Sequence, residues 1–435
     1  MRPCRTGRNL RPAPLLAAAL FGILIPVPSA SGQAAAGNRI LGLVPPQTST
    51  SKATIQIQDV DGGCRTAALR CSGVLPGLKP GGSGGSAYDP RHDSLWIADS
   101  LAIEEWALAP ACRKICTTKT VLMNPKASLR GLAIADRRGL LYVLESAPGY
   151  VGIRPWFLRS CPPVPTRGGC SLTLRDSRAL AGGLAYDEFR DLLYFTVSRP
   201  AFVGWVTDLY VAPASNPCKA VKSALGTCQT GANPWGPVTG LAYEACSKRL
   251  YATDGSDTLL VLLLDPLKLV WKSLGCCRKG SAGTWTGLAV LPGWKRRDTG
   301  SGCSGKGCPF CGRIRQTLVG GIPSLGNPAF GLQVENGPIP GFGILLLGVG
   351  PCGKGLRLPF LCAPFFPSLA PPPLAILSGA LSGKGQCLGS VRQPLPLPAD
   401  PRACGLTLCA QWLVLCGAGS GLALSQAIEF TLAGT

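Results

Sequence analysis

Short hydrophobic runs separated by Gly, Pro and charged turns recur along most of the chain. Residues 240–273 carry the pattern most completely, with apolar runs at 240–243, 250–253, 258–264 and 269–273. Runs of this length, bounded by Asp, Gly and Pro, predict four β-strands joined by tight turns. Because apolar residues occupy both faces of these strands, we expect neighbouring sheets to cover them on both sides.

The strand pattern repeats with a fixed internal spacing. A Gly is followed eleven residues later by an aromatic residue in four copies, which are Gly85 with Trp96, Gly131 with Tyr142, Gly183 with Tyr194 and Gly240 with Tyr251. A fifth copy starts at Gly287, and successive glycines are 46 to 57 residues apart. A constant core with variable spacers indicates one repeated unit, and a strand-built period of about 40–50 residues predicts the blades of a β-propeller.

The first and last parts of this repeat region complement each other. The copy at Gly287 lacks its outer half, whereas residues 53–76 resemble two outer strands without inner ones. We therefore expect a propeller over 38–298 in which the N-terminal strands complete the last blade, since closure removes exposed sheet edges. Five blades are predicted, with six as the alternative if the insertions at 145–180 and 198–236 hide another.

The composition changes after the fifth copy. A Gly- and Ser-rich linker begins near 298, and residues 299–435 contain short apolar runs broken by Gly and Pro without the repeat. This punctuation predicts a β-sandwich domain. The predicted fold class is therefore all-β, a propeller followed by a sandwich.

The N-terminus has the features of a secretory signal peptide. Four arginines precede an apolar stretch at 15–25, and small residues follow, so residues 1–32 are expected to be removed by cleavage between 30 and 36. The apolar stretch is too short to span a bilayer, and no later stretch is long enough. A secreted, extracellular or envelope-associated protein without a transmembrane anchor is predicted.

Cysteine usage supports export. Of 21 cysteines one lies in the signal segment, which leaves an even number for disulfides. Local pairs are expected after the second strand of successive repeats, namely Cys64 with Cys71, Cys112 with Cys116, Cys161 with Cys170 and Cys218 with Cys228. In the fourth repeat Cys246 is expected to bond to Cys276 or Cys277. In the Cys308-Pro-Phe-Cys311 motif, structural cystines are favoured over zinc or redox chemistry.

Charge and histidine content limit the possible functions. The formal net charge is +21 and His92 is the single histidine, placed in a predicted turn. Sites built from several histidines are excluded, and no motif for specific nucleic-acid binding is present. The basic surface could attract a polyanionic polysaccharide or an envelope component, or the charges could be merely scattered. A monomer is expected.

Three carboxylates are candidate ligands. Asp99, Glu145 and Asp254 follow the second strand of their repeats, and such loops share one face of a propeller near the central channel. They could converge on a hard cation such as Ca²⁺. Alternatively, each could cap its own turn by accepting backbone N–H groups. No catalytic residue is predicted.

Two resemblances extend this interpretation. The tail, with Gly-Ser-Gly-Cys at 300–303, Ile-Pro-Ser-Leu-Gly-Asn-Pro-Ala-Phe at 322–330, Leu-Pro-Leu-Pro-Ala-Asp-Pro at 395–401 and Gly-Leu-Ala-Leu-Ser-Gln-Ala at 421–427, resembles a domain at the C-termini of exported proteins of Planctomycetes-type bacteria. The Gly-Leu-Ala-Tyr-Asp…Leu-Tyr pattern resembles NHL-type and lactonase-like propellers. The resemblances imply export, a β-rich appendage and, for lactonase-like propellers, an all-oxygen metal site.

The function predicted from the sequence is therefore a secreted, non-enzymatic binding or scaffold protein with its ligand at the channel mouth. The alternatives are a metal-dependent hydrolase of the lactonase type and a structural or adhesion protein of the cell envelope.

Overall fold

The computed structural model describes residues 39–44, 53–59, 65–75, 84–99, 101–108, 113–158, 162–166, 168–202, 204–224, 236–254, 258–265, 270–278, 285–291, 296–305, 308, 311, 314–367, 374–417 and 421–434. The expected signal peptide and Cys64, Cys112, Cys161 and Cys228 lie outside these ranges. Within them the regular structure is β throughout, apart from 3₁₀ turns at Asp136–Arg138, Pro217–Lys219 and Pro401–Ala403. No helix in the described ranges has the length and hydropathy to cross a bilayer.

The repeat region forms strands β1 to β21. Their bounds are β1 Arg39–Val44, β2 Ala53–Asp59, β3 Arg65–Leu75, β4 Ser86–Asp89, β5 Ser94–Asp99, β6 Ala102–Ala107, β7 Arg113–Lys119, β8 Ser128–Ala135, β9 Leu140–Ala147, β10 Tyr150–Phe157, β11 Val164–Pro165, β12 Cys170–Thr173, β13 Leu180–Asp187, β14 Leu192–Pro200, β15 Trp205–Pro213, β16 Val221–Ala224, β17 Gly240–Glu244, β18 Arg249–Thr253, β19 Thr258–Asp265, β20 Val270–Arg278 and β21 Gly287–Leu291. The chain-terminal part adds β22 Arg296–Thr299, β23 Cys303–Ser304, β24 Arg315–Val319, β25 Gly331–Gly337, β26 Gly341–Val349, β27 Leu374–Ala380, β28 Gly389–Pro394, β29 Thr407–Cys416, β30 Gly421–Leu424 and β31 Ala427–Thr431.

Four sheets of the repeat region are meanders of consecutive antiparallel strands. Their orders are β4-β5-β6-β7, β8-β9-β10-β11 with β12 also on β10, β13-β14-β15-β16 and β17-β18-β19-β20. The fifth sheet has the order β21-β1-β2-β3 and joins the two ends of the region. Its second strand, β1, pairs with β21 from Arg39 opposite Leu291 to Leu43 opposite Gly287, and the sequence pattern did not predict that strand.

The first strands of these sheets form a ring. β4 contacts β8, β8 contacts β13, β13 contacts β17, β17 contacts β21, and β21 contacts β4. An ordered circle of antiparallel sheets around a common axis is the architecture of a β-propeller. The prediction of an all-β propeller fold is therefore confirmed.

The repeated glycines are explained by how closely these first strands approach one another. A Cβ atom on Gly85 would lie 2.4 Å from the Cα of Gly131, and one on Gly131 would lie 2.7 Å from the Cβ of Leu184. A Cβ on Gly287 would lie 2.8 Å from the carbonyl oxygen of Gly84, which closes the circle. Only a residue without a side chain fits at these positions.

The constant spacing from Gly to aromatic residue reflects a fixed turn between the first two strands. Eight residues after each Gly the backbone is left-handed, at Asp93, Gly139, Asp191 and Lys248, with φ between 48° and 60°. Carboxylates at the end of the first strand accept backbone N–H groups of the same turn in three sheets, from Arg91 to Asp89, from Phe189 to Asp187 and from Cys246 to Glu244. These bonds fix the hairpin length.

The terminal strands form two further antiparallel sheets. The larger has the order β22-β31-β29-β26-β27, with β30 bridging β29 and β23, and the smaller has the order β24-β25-β28. Residues of both sheets share one core around the buried Phe330, Trp412 and Phe430. This is the face-to-face packing expected of a β-sandwich. Strand β22 belongs to it, so the sandwich strands begin at Arg296, within the range 38–298 assigned to the propeller.

Disulfides within the described residues join distant segments. The bridges are Cys170–Cys218, Cys246–Cys404, Cys303–Cys362, Cys308–Cys416, Cys311–Cys387 and Cys352–Cys409, and Cys116 is also disulfide-bonded. The expected pairs Cys161 with Cys170, Cys218 with Cys228 and Cys246 with Cys276 or Cys277 are wrong. Cys170 in β12 bonds to the 3₁₀ turn of the next sheet, which brings the two Cα atoms within 5.4 Å, a normal cystine distance. The two cysteines of the Cys308-Pro-Phe-Cys311 motif belong to two separate disulfides. Structural cystines are what the sequence favoured over zinc or redox chemistry.

Candidate functional site

The axis of the ring contains a narrow cavity. The second to fourth residues of each repeat line it, with an Ala in the middle of every copy, namely Ala87, Ala133, Ala185, Ala242 and Ala289. The cavity volume is about 70 Å³. This space holds a few water molecules or a small ion, whereas pockets for metabolites measure about 300–1,000 Å³.

Asp136 is the charged residue of the lining. It sits in the turn after β8, is 4 % exposed, forms an ion pair with Arg91, and its Oδ2 atom has no hydrogen-bond partner. Burial raises the pKa of Asp136 to about 7, since the opposing effect of Arg91 is smaller and Asp89 and Glu188 raise the value further. A buried carboxyl with a raised pKa in a cavity marks a candidate functional residue, and sequence reasoning missed it.

Glu188 organises the same end of the cavity from the neighbouring sheet. Its two carboxylate oxygens accept the N–H groups of Asp136 and Arg137 at 3.1 and 2.9 Å. The second sheet needs this help because Ala135 stands where three other sheets have an acidic residue, namely Asp89, Asp187 and Glu244. Burial raises the pKa of Glu188, and the Arg137 bonds oppose that effect.

Segments between the sandwich strands lie at this end of the ring. They touch the first turn of four sheets, through the Ile322 N–H donating to the Pro90 oxygen at 3.2 Å, the Arg137 guanidinium donating to the Ala399 oxygen at 3.1 Å, Phe189 packing on the sandwich core, and the Cys246–Cys404 bridge. The opposite end is formed by the loops that follow the second strands.

The three predicted carboxylates belong to that opposite end, and among the described residues they are not part of a group whose ligand atoms lie within 4.8 Å of one another. Asp99 ends β5, Glu145 is buried in β9, and Asp254 follows β18. Glu145 accepts the Met123 N–H at 2.8 Å, and Asp254 accepts the Gly236 N–H at 3.0 Å. Burial raises the pKa of Glu145. Glu145 and Asp254 therefore each hold the segment that leads into their own sheet, as the turn-capping alternative expects, and a cation site shared with Asp99 stays a prediction.

A different group of possible metal ligands is present in the described residues. Asp89, His92 and Glu105 place one ligand atom each within 4.8 Å of the others. The group lies on the sheet β4-β5-β6-β7, outside the axial cavity. Sequence reasoning placed His92 in its turn correctly and missed both carboxylates around it.

The sheets and their axial cavity define a β-propeller protein. No family model matches the chain, and no curated protein matches its sequence. Among solved structures it is similar to the periplasmic gluconolactonase PpgL of Pseudomonas aeruginosa, with TM-score 0.35 and 8 % identity over 58 % of this chain and 99 % of that chain. It is also similar to a chain of the mitotic checkpoint complex, with TM-score 0.29 and 16 % identity over 57 % of this chain and 68 % of that chain.

A further similar structure is U3-55K, with TM-score 0.30 and 13 % identity over 50 % of this chain and 87 % of that chain. These similarities are too low to argue from. The fold assignment depends on the sheets of this chain.

Proposed function

We propose that the protein is a secreted binding or scaffold protein, a disulfide-stapled propeller that binds its ligand at the mouth formed by the loops after the second strands. Disulfides are typical of oxidising compartments, and the Cys246–Cys404 bridge couples ring and sandwich covalently. Export would follow from a signal peptide at 1–32. The observation that supports the proposal is that segments of the sandwich contact the first turns of four sheets, so a partner would bind at the opposite end of the axis.

The charge at this mouth favours a polyanionic ligand. Exposed basic side chains lie at or next to strand ends on this side of the ring, and they are Lys119, Lys126, Arg175, Arg178 and Arg199. Arg178 and Arg199 face Asp176 and Asp208, whereas Lys119, Lys126 and Arg175 have no acidic partner among the described residues. An acidic polysaccharide or an envelope component would be attracted by this excess. The cavity itself is too small for such a ligand, so binding would be at the surface.

Immobilised dextran sulfate tests the proposal, with neutral dextran as the blank. We expect the protein to bind and to elute with sodium chloride, because salt screens exposed charges. The triple variant Lys119→Gln, Lys126→Gln and Arg175→Gln is expected to elute at clearly lower salt. A matched triple variant in the sandwich, Lys354→Gln, Arg357→Gln and Lys384→Gln, removes the same charge and is expected to elute like the parent.

Equal shifts for the two triple variants would reduce the binding to diffuse net charge and contradict the proposed mouth. Calcium-dependent hydrolysis of a lactone by the parent protein would instead favour the hydrolase alternative. Release of acid from gluconolactone with and without Ca²⁺ measures that directly.

A further inference from the structure

Three side chains on the first meander sheet come together at one point. His92 Nδ1 lies 2.9 Å from Asp89 Oδ2, and Ser94 Oγ donates to Glu105 Oε1 at 2.7 Å. Asp89 and Glu105 are 3 % and 5 % exposed, whereas the His92 side chain is 63 % exposed. Two oxygen donors are therefore buried, and the nitrogen donor lies on the route from solvent.

The other sheets serve as an internal control for Glu105. In the strand register Glu105 faces Trp96, and the residues facing the equivalent aromatic positions are apolar, namely Pro155, Val211 and Val261. Ser94, which holds Glu105, has Leu140 and Leu192 as two of its counterparts. Since burying a carboxylate is costly, a buried Glu and its hydrogen-bond donor on one sheet need a reason other than the fold.

His92 also departs from the repeat in an informative way. In the sheet that begins with β13, Arg190 occupies the position of His92. Its guanidinium lies 2.8 Å from Oδ2 of Asp187, the residue three positions earlier, just as His92 contacts Asp89. An Arg therefore satisfies the structural role of this position. An imidazole adds what a guanidinium lacks, which is a nitrogen lone pair for a metal ion.

We propose that Asp89, His92 and Glu105 bind a divalent transition metal of the zinc class, with two carboxylate oxygens and one imidazole nitrogen as ligands and water in the remaining position. Mixed nitrogen and oxygen donors suit Zn²⁺ and its first-row neighbours, whereas Ca²⁺ takes six to eight oxygen ligands. Backbone and side-chain donors already orient the carboxylates, through the Arg91 N–H on Asp89 Oδ1 and the Ser94 hydroxyl on Glu105. The nearby Arg91 guanidinium is turned toward Asp136, with which it forms an ion pair.

The test uses the full-length secreted protein, purified without a histidine tag and with free thiols alkylated. Zinc is titrated by calorimetry, and thermal unfolding is followed with and without zinc or calcium. We expect one zinc ion to bind per chain and to raise the Tm, because a ligand that binds only the folded state stabilises it. Calcium at the same concentration is expected to leave the Tm unchanged.

The variant His92→Arg separates metal binding from the structural pair. It recreates the Arg190–Asp187 contact, so its metal-free Tm should stay within about 2 °C of the parent, while the zinc response disappears. Glu105→Val restores the apolar residue of the other sheets and should also abolish the zinc response. Ser94→Ala keeps all three ligands and is expected to weaken zinc binding about 10–100-fold.

Zinc binding by His92→Arg or Glu105→Val with parental affinity would overturn the proposal, and so would a parent that binds no zinc. A calcium response equal to that of zinc would contradict the proposed metal class. None of these outcomes depends on the polyanion proposal.

Discussion

Asp136 shows how a single missing residue reshapes its surroundings. Because Ala135 cannot cap the turn after β8, Glu188 reaches over from the next sheet and accepts the two N–H groups that would otherwise be unbonded. As a result, the carboxylates of Asp136 and Glu188 lie in the same buried place. Asp136 holds its proton more tightly as a result, and burial is the largest cause of its raised pKa.

Replacing Asp136 with Asn should change how stability depends on pH. The pKa of Asp136 is about 7 in the folded protein against 3.8 ordinarily, so its contribution is fully present below pH 4 and is lost as pH rises to about 7. Asp136→Asn should therefore gain stability relative to the parent between pH 4 and 8, by about 2–4 kcal/mol. The groups facing Asp136 are Arg91, Asp89, Glu188, Arg137 and His92. Urea unfolding at several pH values measures this.

The control is Asp400→Asn, which changes an exposed carboxyl whose pKa is lowered by hydrogen bonds from Arg402. Its stability relative to the parent should not rise with pH. Parallel pH profiles for Asp136→Asn and the parent protein would contradict the interpretation of Asp136.

At the scale of elements, the first strand of each sheet is defined by how near its neighbour lies. A Cβ on Gly183 would come within 2.6 Å of the Leu241 Cβ. Neither Ala nor Val can therefore replace this Gly unless the next strand moves. Gly139 has almost the same φ, 60° against 63° at Gly183, yet nothing lies within 4 Å of its added Cβ. Comparing the two glycines therefore separates the effect of a positive φ from the effect of crowding by the next strand.

Gly183→Ala and Gly139→Ala should therefore differ in cost. Both variants place an Ala at a positive φ, because φ is 63° at Gly183 and 60° at Gly139, and this lowers the free energy of unfolding by about 1 kcal/mol. Gly183→Ala adds the displacement of Leu241, a further 1–3 kcal/mol. Chemical denaturation of both variants gives the difference, and equal losses would show that crowding contributes nothing.

What the sequence could predict at this scale was local. The hairpin of β4 and β5 and its counterparts have a fixed turn within a dozen residues, so the Gly-to-aromatic spacing identified them. Strand β1 has no such local spacing pattern. It pairs with β21, which is distant in the sequence, and Arg39 lies opposite Leu291. The Cys246–Cys404 pairing is non-local for the same reason.

The candidate site was predictable only in part. The sequence placed Asp99, Glu145 and Asp254 at equivalent positions after the second strand of their repeats. It gave no information on the distances between their side chains. Aligning the copies would have singled out Glu105, since its counterparts are Pro155, Val211 and Val261. The convergence of Asp89 and His92 with it required coordinates.

At the scale of the whole molecule, the first and last strands of the repeat region complete the ring. The N-terminal strands supply three of the four strands in the sheet of β21, and the sandwich spans the first turns. A sheet left with only β21 would expose edges on both sides, which invites association between molecules.

Deleting the N-terminal strands should therefore produce aggregation. A chain starting at residue 77 lacks β1 to β3 and should elute as oligomers or precipitate. A chain starting at residue 37, beyond the expected cleavage point, is the control and should remain monomeric. Size-exclusion chromatography with light scattering checks this, and a monomeric product from the shorter chain would contradict the closure argument.

The pairing of Arg39 with Leu291 also constrains biosynthesis. At about 5–20 residues per second, β1 would leave the ribosome roughly 10–50 s before its partner exists. Throughout that interval the nascent polypeptide carries an unpaired strand, so a holding chaperone that keeps the chain unfolded until β21 has been made would protect it better than early folding.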